Sequence, residues 1–277
     1  MSRTFDSLTS PNALSSNPLH DLLNLVRAAL QTEFEPEVQE RELSFTIPPH
    51  VPLTELLDQL EEGNFHKEFH NLRVTVIGAR LRIRQCMPSV PHETASSIIF
   101  ILQNQLRVLA GGAHPGVKFV GSGRYTSPNE AKEADGGLSP LSRPSTAWPS
   151  VVVEVGDSQT RPSLNRDVDE WFGMNLAGPH RVNLVITIQI SRPSDEIVVT
   201  FFERAAVPNT DSPFLASPVH NLGPFTWTRN NIPNLAAMEI PVQLFYDTVP
   251  PLLAPHPTVT IPANIVQDLA ADIFHGL

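Results

Sequence analysis

Residues 148–172 read WPSVVVEVGDSQTRPSLNRDVDEWF, and this stretch decides the architecture of the chain. Val151, Val152, Val153 and Val155 form a run of β-branched side chains, which favour a buried extended strand. Pro149 and Ser150 open that strand, and Gly156, Asp157 and Ser158 begin a polar turn. From about Ser163 to Leu176, the residues Leu164, Val168, Trp171, Phe172 and Leu176 recur at helical spacing, with Pro162 suited to a first turn. Glu154 interrupts the valine run. A carboxylate there is either paired in the interior or held on purpose at a sheet end, because burying it alone is costly. Asp135, in AKEADGGLSP (131–140), stands in a similar setting one strand earlier. A turn carboxylate beside Gly136 and Gly137 is its alternative reading. Two acids on successive strands, followed by a helix, make the skeleton of a two-carboxylate magnesium site.

Composition bounds what such a site serves. The chain has 277 residues and 41% hydrophobic content, enough for a sizeable core in one large domain or one domain with additions. Its net charge is −10, from 29 acidic and 19 basic residues. That balance suits poorly a protein that grips nucleic acid over a wide face, though it leaves room for a local basic rim. Cys86 is the single cysteine, so no internal disulfide or cysteine zinc cluster can form, and it reads as a small apolar filler on a strand. The first nineteen residues are rich in Ser, Asn and Pro and lack an apolar signal core. No run of 18 apolar residues exists to span a membrane. The expectation is an intracellular protein, cytoplasmic or nuclear, that is not secreted. The 27 prolines and the lack of a repeat argue against a bundle or solenoid.

The remaining elements follow from periodicity. A tail over 1–17 is expected to be disordered, and 18–71 to form a helical cap. The cap comprises a helix from His20 to Phe34 ended by Pro36, a strand from Leu43 to Ile47 and a helix from Pro52 to Glu62. His66 and His70 are spaced i, i+4, yet HKEFH matches no metalloprotease order, and a solvated helix end is the simpler reading. Residues 72–77 and 81–84 alternate as a hairpin around Gly78-Ala79-Arg80. A helix follows, with Pro91, Thr94 and Ser96 near its start, Ile98, Leu102, Leu106 and Leu109 on its inner stripe, and Gly111-Gly112 as its stop. Val117–Tyr125 reads as a strand whose Gly-Ser-Gly step is not a phosphate loop. Val182–Ile190 and Ile197–Glu203 pair across a turn, and 205–235 reads as a loop anchored by Phe214, Phe225 and Trp227. Glu239–Tyr246 reads as a strand and Pro262–Leu277 as a closing helix.

The sequence VGSGRYTSPNEAKEADGGLSP, then WPSVVVEVGDSQ, LNRDVDEWF and RVNLVITIQIS, resembles the PD-(D/E)xK nuclease-like superfamily. Within it, the chain is similar to the Uma2-like, restriction-endonuclease-like branch, and to an uncharacterised fungal group with a KEAD … WPS-VVEVG-S pattern. The resemblance covers about Leu72 to Arg204. It implies an α/β fold whose core runs helix, three strands, helix, strand, with a mixed sheet and with N- and C-terminal elaborations. Residues 72–204 would be that core, 205–235 a loop and 236–277 a strand-helix extension. It also implies that Asp135 and Glu154 hold Mg²⁺ or Mn²⁺ for phosphodiester hydrolysis, with Arg166 as a basic residue reaching back from its helix and Glu93 as a candidate third acid, for which a first-turn glutamate favoured by the helix dipole is the simpler reading.

One position departs from the pattern. The lysine of E-x-K stands two residues after the glutamate, where a strand returns to the same face, and that residue here is Gly156. Lys132 has odd spacing from Asp135, so an unbroken strand points the two to opposite faces. Arg166 stays protonated and can stabilise charge without acting as a base. Gln159 carries an amide where the family often has an acid. Two functions therefore stand: a metal-dependent nuclease acting on nucleic acid, and a nuclease-like fold without chemistry that serves as a binding or interaction module. Gly156-Asp157-Ser158 with Asp272 and His275 superficially matches a lipolytic hydrolase, but the blocks are misplaced and a Gly-x-Asn-Asp block is missing.

Overall fold

Valine- and isoleucine-rich extended segments alternate with amphipathic helices along the chain. The computed structural model describes residues 2–4, 17–32, 40–62, 65, 69, 72–86, 90–121, 123–157, 161–176, 178–204, 216–218 and 222–276. In chain order, the first elements are β1 (Ser2–Thr4), α1 (Pro18–Gln31), β2 (Glu40–Thr46), α2 (Leu53–Glu62), β3 (Leu72–Ile77) and β4 (Arg80–Cys86). Next come α3 (Val90–Leu109), β5 (Val117–Phe119), β6 (Arg124–Ser127), β7 (Glu130–Glu133), β8 (Gly136–Pro140) and β9 (Val151–Asp157). The rest are α4 (Arg161–Gly173), β10 (Leu184–Ser191), β11 (Glu196–Arg204), β12 (Ala216–Pro218), β13 (Phe225–Thr228), β14 (Met238–Pro241), β15 (Thr258–Ile261) and α5 (Ala263–Gly276). None of the described helices is long and apolar enough to cross a membrane.

The chain divides into two compact units, one of Met1–Pro88 with Arg124–Glu133 and one of Ser89–Gly123 with Ala134–Leu277. In the first, a six-stranded sheet runs β1-β2-β4-β3-β7-β6. Its apolar face carries Leu43, Phe45, Val74, Val76, Leu81 and Ile83, packed in one core with Val26 and Leu30 of α1 and Leu56 and Leu60 of α2. Asn17 caps α1 by accepting the His20 N–H at 3.0 Å, and Pro18 suits its first turn. Alternation sends Glu42, Arg73, Arg82, Arg84 and Lys132 to the opposite face, and all five are buried. Glu42 lies 3.8 Å from Arg82 and 3.7 Å from Arg84.

The second unit is α/β with a mixed sheet ordered β12-β11-β10-β9-β8-β5, and β13 adds to β11. Here α3, β5, β8, β9, α4 and β10 follow one another as helix, three strands, helix and strand. β9 and β10 are parallel, joined through α4, while β8–β9 and β10–β11 are antiparallel. One face of the sheet presents Val151, Val153, Val155, Ile186, Ile188 and Val199 to Ile98, Leu102 and Leu106 of α3 and to Val266 and Ile273 of α5. α4 packs on the other face. α3 stops where Gly111 and Gly112 take positive φ (64° and 86°) and return their N–H groups to the carbonyls of Val108 and Arg107. At Gly137 a Cβ would stand 2.9 Å from the Val151 carbonyl oxygen, so β8 approaches β9 as closely as it does only with glycine there.

Several expectations are corrected. The hairpin of β3 and β4 belongs to the first unit's sheet, because β4 also pairs with β2 there, so the core expected over 72–204 does not hold residues 72–86 in one unit with the rest. Val117–Tyr125 is not one strand: Gly121 takes φ of 57°, and the chain leaves β5 to form β6 in the other sheet. Ser2–Thr4, within the expected disordered tail, pairs in parallel with β2. The stretch 205–235 contains the strands β12 and β13 and a 3₁₀ segment at Arg229–Asn234, and Trp227 is its buried anchor. Only Met238–Pro241 of the last expected strand is extended, after which Val242–Phe245 coil as 3₁₀ and bury Val242 and Phe245. Phe214, His66 and His70 lie outside the described residues.

Candidate carboxylate site

The site starts from the register of two strands. Gly136 of β8 stands level with Val153 of β9, and Gly137 with Val152. Asp135, the residue just ahead of β8, lies where this ladder ends, next to the stretch of β9 that carries Glu154. Both carboxylates are buried, each with 2% of its surface exposed. Desolvated acids need donors, and both have them. The Val155 N–H donates to Asp135 Oδ2 at 2.8 Å, and the Trp171 indole N–H donates to Glu154 Oε1 at 2.5 Å.

α4 supplies that indole because of its period. Leu164, Asp167, Val168, Trp171 and Phe172 are its buried stripe. Trp148, just ahead of β9, meets Trp171 edge to face with centroids 5.7 Å apart, which fixes the ring that holds Glu154. On β10, Thr187 stands level with Glu154, and Gln189 with Gly156. The place where E-x-K has its lysine is thus bare on β9 and flanked by an amide on the neighbouring strand.

The sequence reading missed Asp167. This acid is fully buried on the inner face of α4, one helical turn before Trp171. The helix returns over the sheet from the end of β9, so one turn (about 5.4 Å) toward its start moves toward the level of Gly156. Its signal was in plain sight: Asp167 lies three residues after Leu164 and four before Trp171, inside the apolar stripe. The polar neighbours Asn165, Arg166, Asp169 and Glu170, the first two exposed and the last two half-buried, mask it in the sequence.

Two other expected members do not join the pair. Arg166 is exposed, where it donates to Ser163 Oγ at 3.1 Å and lies 4.0 Å from Glu170. Its position on α4, beside Asp167 but off the stripe, turns it to solvent. Glu93 is exposed in the first turn of α3, where the helix dipole favours an acid. Among the described residues, no three His, Cys, Asp or Glu side chains gather as a cation-binding group, so Glu93 does not complete a triad. Lys132 is buried on β7 in the first unit. At the end of β9, Asp157 is engaged by Arg192, whose Nε and Nη2 donate at 3.0 and 2.6 Å. Ser158 and Gln159 lie outside the described residues, and Asp272 and His275 are exposed on α5.

No family model and no curated protein matches this sequence. A search of solved structures finds a similarity to a candidate nuclease of DUF820 from Anabaena variabilis, 14% identical, with a TM-score of 0.34. That similarity covers 52% of this chain and 86% of the other.

Proposed function

We propose that the second unit is a nuclease-like domain whose Asp135 and Glu154 bind a divalent cation, Mg²⁺ or Mn²⁺, for phosphodiester hydrolysis. The observation that supports this reading is a pair of buried carboxylates close in the fold, Asp135 bonded to the N–H of the residue that follows Glu154 on β9. Oxygen donors from two acids, completed by water and a phosphate, fit a small hard cation. Such a cation would lower the pKa of an attacking water and neutralise charge developing on the phosphate. The chain's own contribution is orientation: the Val155 N–H and the Trp171 indole each hold one carboxylate in place. Nucleic acid is the substrate class this chemistry serves, and the acidic balance of −10 confines its contact to a narrow strip of the surface.

A second reading is favoured by Gly156 and by the indole clamp on Glu154. Without the E-x-K lysine, the same fold would act as a binding or interaction module that has lost hydrolysis. Calorimetric titration with Mn²⁺ and Mg²⁺, using Asp135→Asn and Glu154→Gln as controls, tests the cation site. Saturable binding lost in both variants is expected, and binding heat unchanged in either would remove the site. Incubating single- and double-stranded DNA with Mn²⁺ then separates the two readings: cleavage abolished by Glu154→Gln supports the nuclease, and cation binding without cleavage supports the module.

A further inference from the structure

The second half of α3 carries Phe100, Gln103, Asn104 and Arg107 at i, i+3, i+4 and i+7, which places them on one helical stripe. Gly112, His114 and Pro115 complete a pocket of about 380 Å³ over this stripe. That volume falls within the range of small-ligand sites. The opposite face of the same helix lies under the sheet, where a Cβ at Gly136 would meet Ile99 at 3.3 Å. The pocket is therefore separate from Asp135 and Glu154, and the argument for it does not rest on them.

Three of its polar side chains are anchored to the backbone between the end of α3 and the start of β5. Gln103 Nε2 donates to the Val117 carbonyl at 3.4 Å, and Arg107 Nε donates to the Gly112 carbonyl at 3.2 Å. The Gly116 N–H donates to His114 Nδ1 at 3.0 Å. With Nδ1 accepting, the neutral imidazole carries its proton on Nε2. The Arg107 bond to Gly112 uses Nε, so the terminal amino groups of the guanidinium take no part in it. Phe100, a large ring with no polar atom, is 71% exposed at the other end of the stripe. Among the described residues, no carboxylate lines the pocket, although the chain is acidic overall.

An aromatic platform, two carboxamides and two oriented cationic or N–H donors suit one ligand chemistry. We propose that this pocket binds a nucleotide, with its base stacked on Phe100 and its phosphate held by Arg107 and His114. Stacking on an aromatic ring tolerates any base. The carboxamides of Gln103 and Asn104 offer the paired donor and acceptor that match a base edge. A planar guanidinium suits phosphate oxygens, and donors already fixed to the backbone lose little freedom on binding. The nucleotide is either free or the end of a single strand, and the two share this chemistry.

The test is a calorimetric titration of the full chain with 5′-AMP, adenosine, inorganic phosphate and a short oligodeoxyadenylate. Saturable 5′-AMP binding is expected, with adenosine and phosphate each weaker by about tenfold or more. Phe100→Ala, at an exposed position that leaves the core intact, should weaken 5′-AMP about tenfold and leave phosphate unchanged, in keeping with the usual worth of one stacked base. Arg107→Ala should weaken 5′-AMP and phosphate together and spare adenosine. Tighter binding of the oligonucleotide than of 5′-AMP identifies a strand as the source, and equal binding identifies the free nucleotide. Absence of saturable 5′-AMP binding overturns the proposal. So does binding that neither variant weakens, or binding lost in Asp135→Asn, which would move the nucleotide to the carboxylate pair.

Discussion

The two faces of the second unit's sheet obey different rules. Toward α3 and α5, β9 and β10 present aliphatic side chains, from Val151, Val153 and Val155 to Ile186, Ile188 and Ile190, until Asp157 meets Arg192 at the end of β9. Toward α4, the same strands alternate to Val152, Glu154 and Gly156 and to Val185, Thr187 and Gln189. The aliphatic face needs only to be filled, and loose volume is its sole hazard. The polar face must match each buried donor and acceptor, and it is less stable than an aliphatic face of equal volume would be.

The sharpest way to break this contrast is to put a charge on the wrong face. Ile186→Asp buries an unpaired carboxylate among aliphatic groups and is expected to cost about 4 kcal/mol or more, enough to unfold most single domains. Urea titration followed by circular dichroism reads this, and a native-like midpoint would erase the distinction between the faces.

A smaller effect is expected at Arg143, which touches neither face. Its guanidinium is buried and donates to the carbonyls of Trp148 and Arg181 and to both oxygens of Asp247, tying down the loop ahead of β9. Arg143→Ala should cost about 2–3 kcal/mol, below the usual range for a fully buried pair because Asp247 retains water. Arg143 also holds the Asp247 carboxyl below its ordinary range, through hydrogen bonds first and charge second. A depressed carboxyl adds stability that is complete above its unfolded pKa and is lost as pH falls through the folded one. The melting temperature of Asp247→Asn should therefore fall less steeply below about pH 4 than that of the parent chain.

On the polar face itself, Trp171→Phe removes one N–H from Glu154 and keeps most of the ring. A cost of about 1–3 kcal/mol is expected, the penalty of a buried acceptor losing its donor. Glu154→Gln on top of Trp171→Phe should cost less than the sum of the two single changes, and strict additivity would show that the indole bond carries no coupling. At the bottom of the scale, Arg166→Ala should stay within about 0.5 kcal/mol and leave Mn²⁺ binding unchanged, since its side chain faces solvent.

Much of this contrast was legible in the sequence. The valine run, the apolar stripe of α4 and the helix stop at Gly111-Gly112 are local patterns, and each appears as an element with bounds shifted by a few residues. Glu154 announced itself because a carboxylate inside four valines must either find a partner in the interior or be held at a sheet end on purpose. The partner of that carboxylate was hidden, since nothing in spacing says that Trp171, an apparent core residue, would turn its N–H to it. Arg166 misled because helical reach was considered without helical phase, and phase is what separates it from its neighbour Asp167. The migration of β6 and β7 into the other sheet was illegible for another reason: pairing across a sheet depends on residues far apart in the chain, which no local window contains.

That migration has a consequence for how the protein is made. β3 finds its outer neighbour only in β7, so the edge of the first unit's sheet stays unpaired on the ribosome until Glu133 has emerged, after the whole of α3. An open edge invites pairing with foreign strands. A nascent chain stalled near Pro88 would be a substrate for chaperones, and cutting the gene there would yield an adhesive fragment in place of a domain.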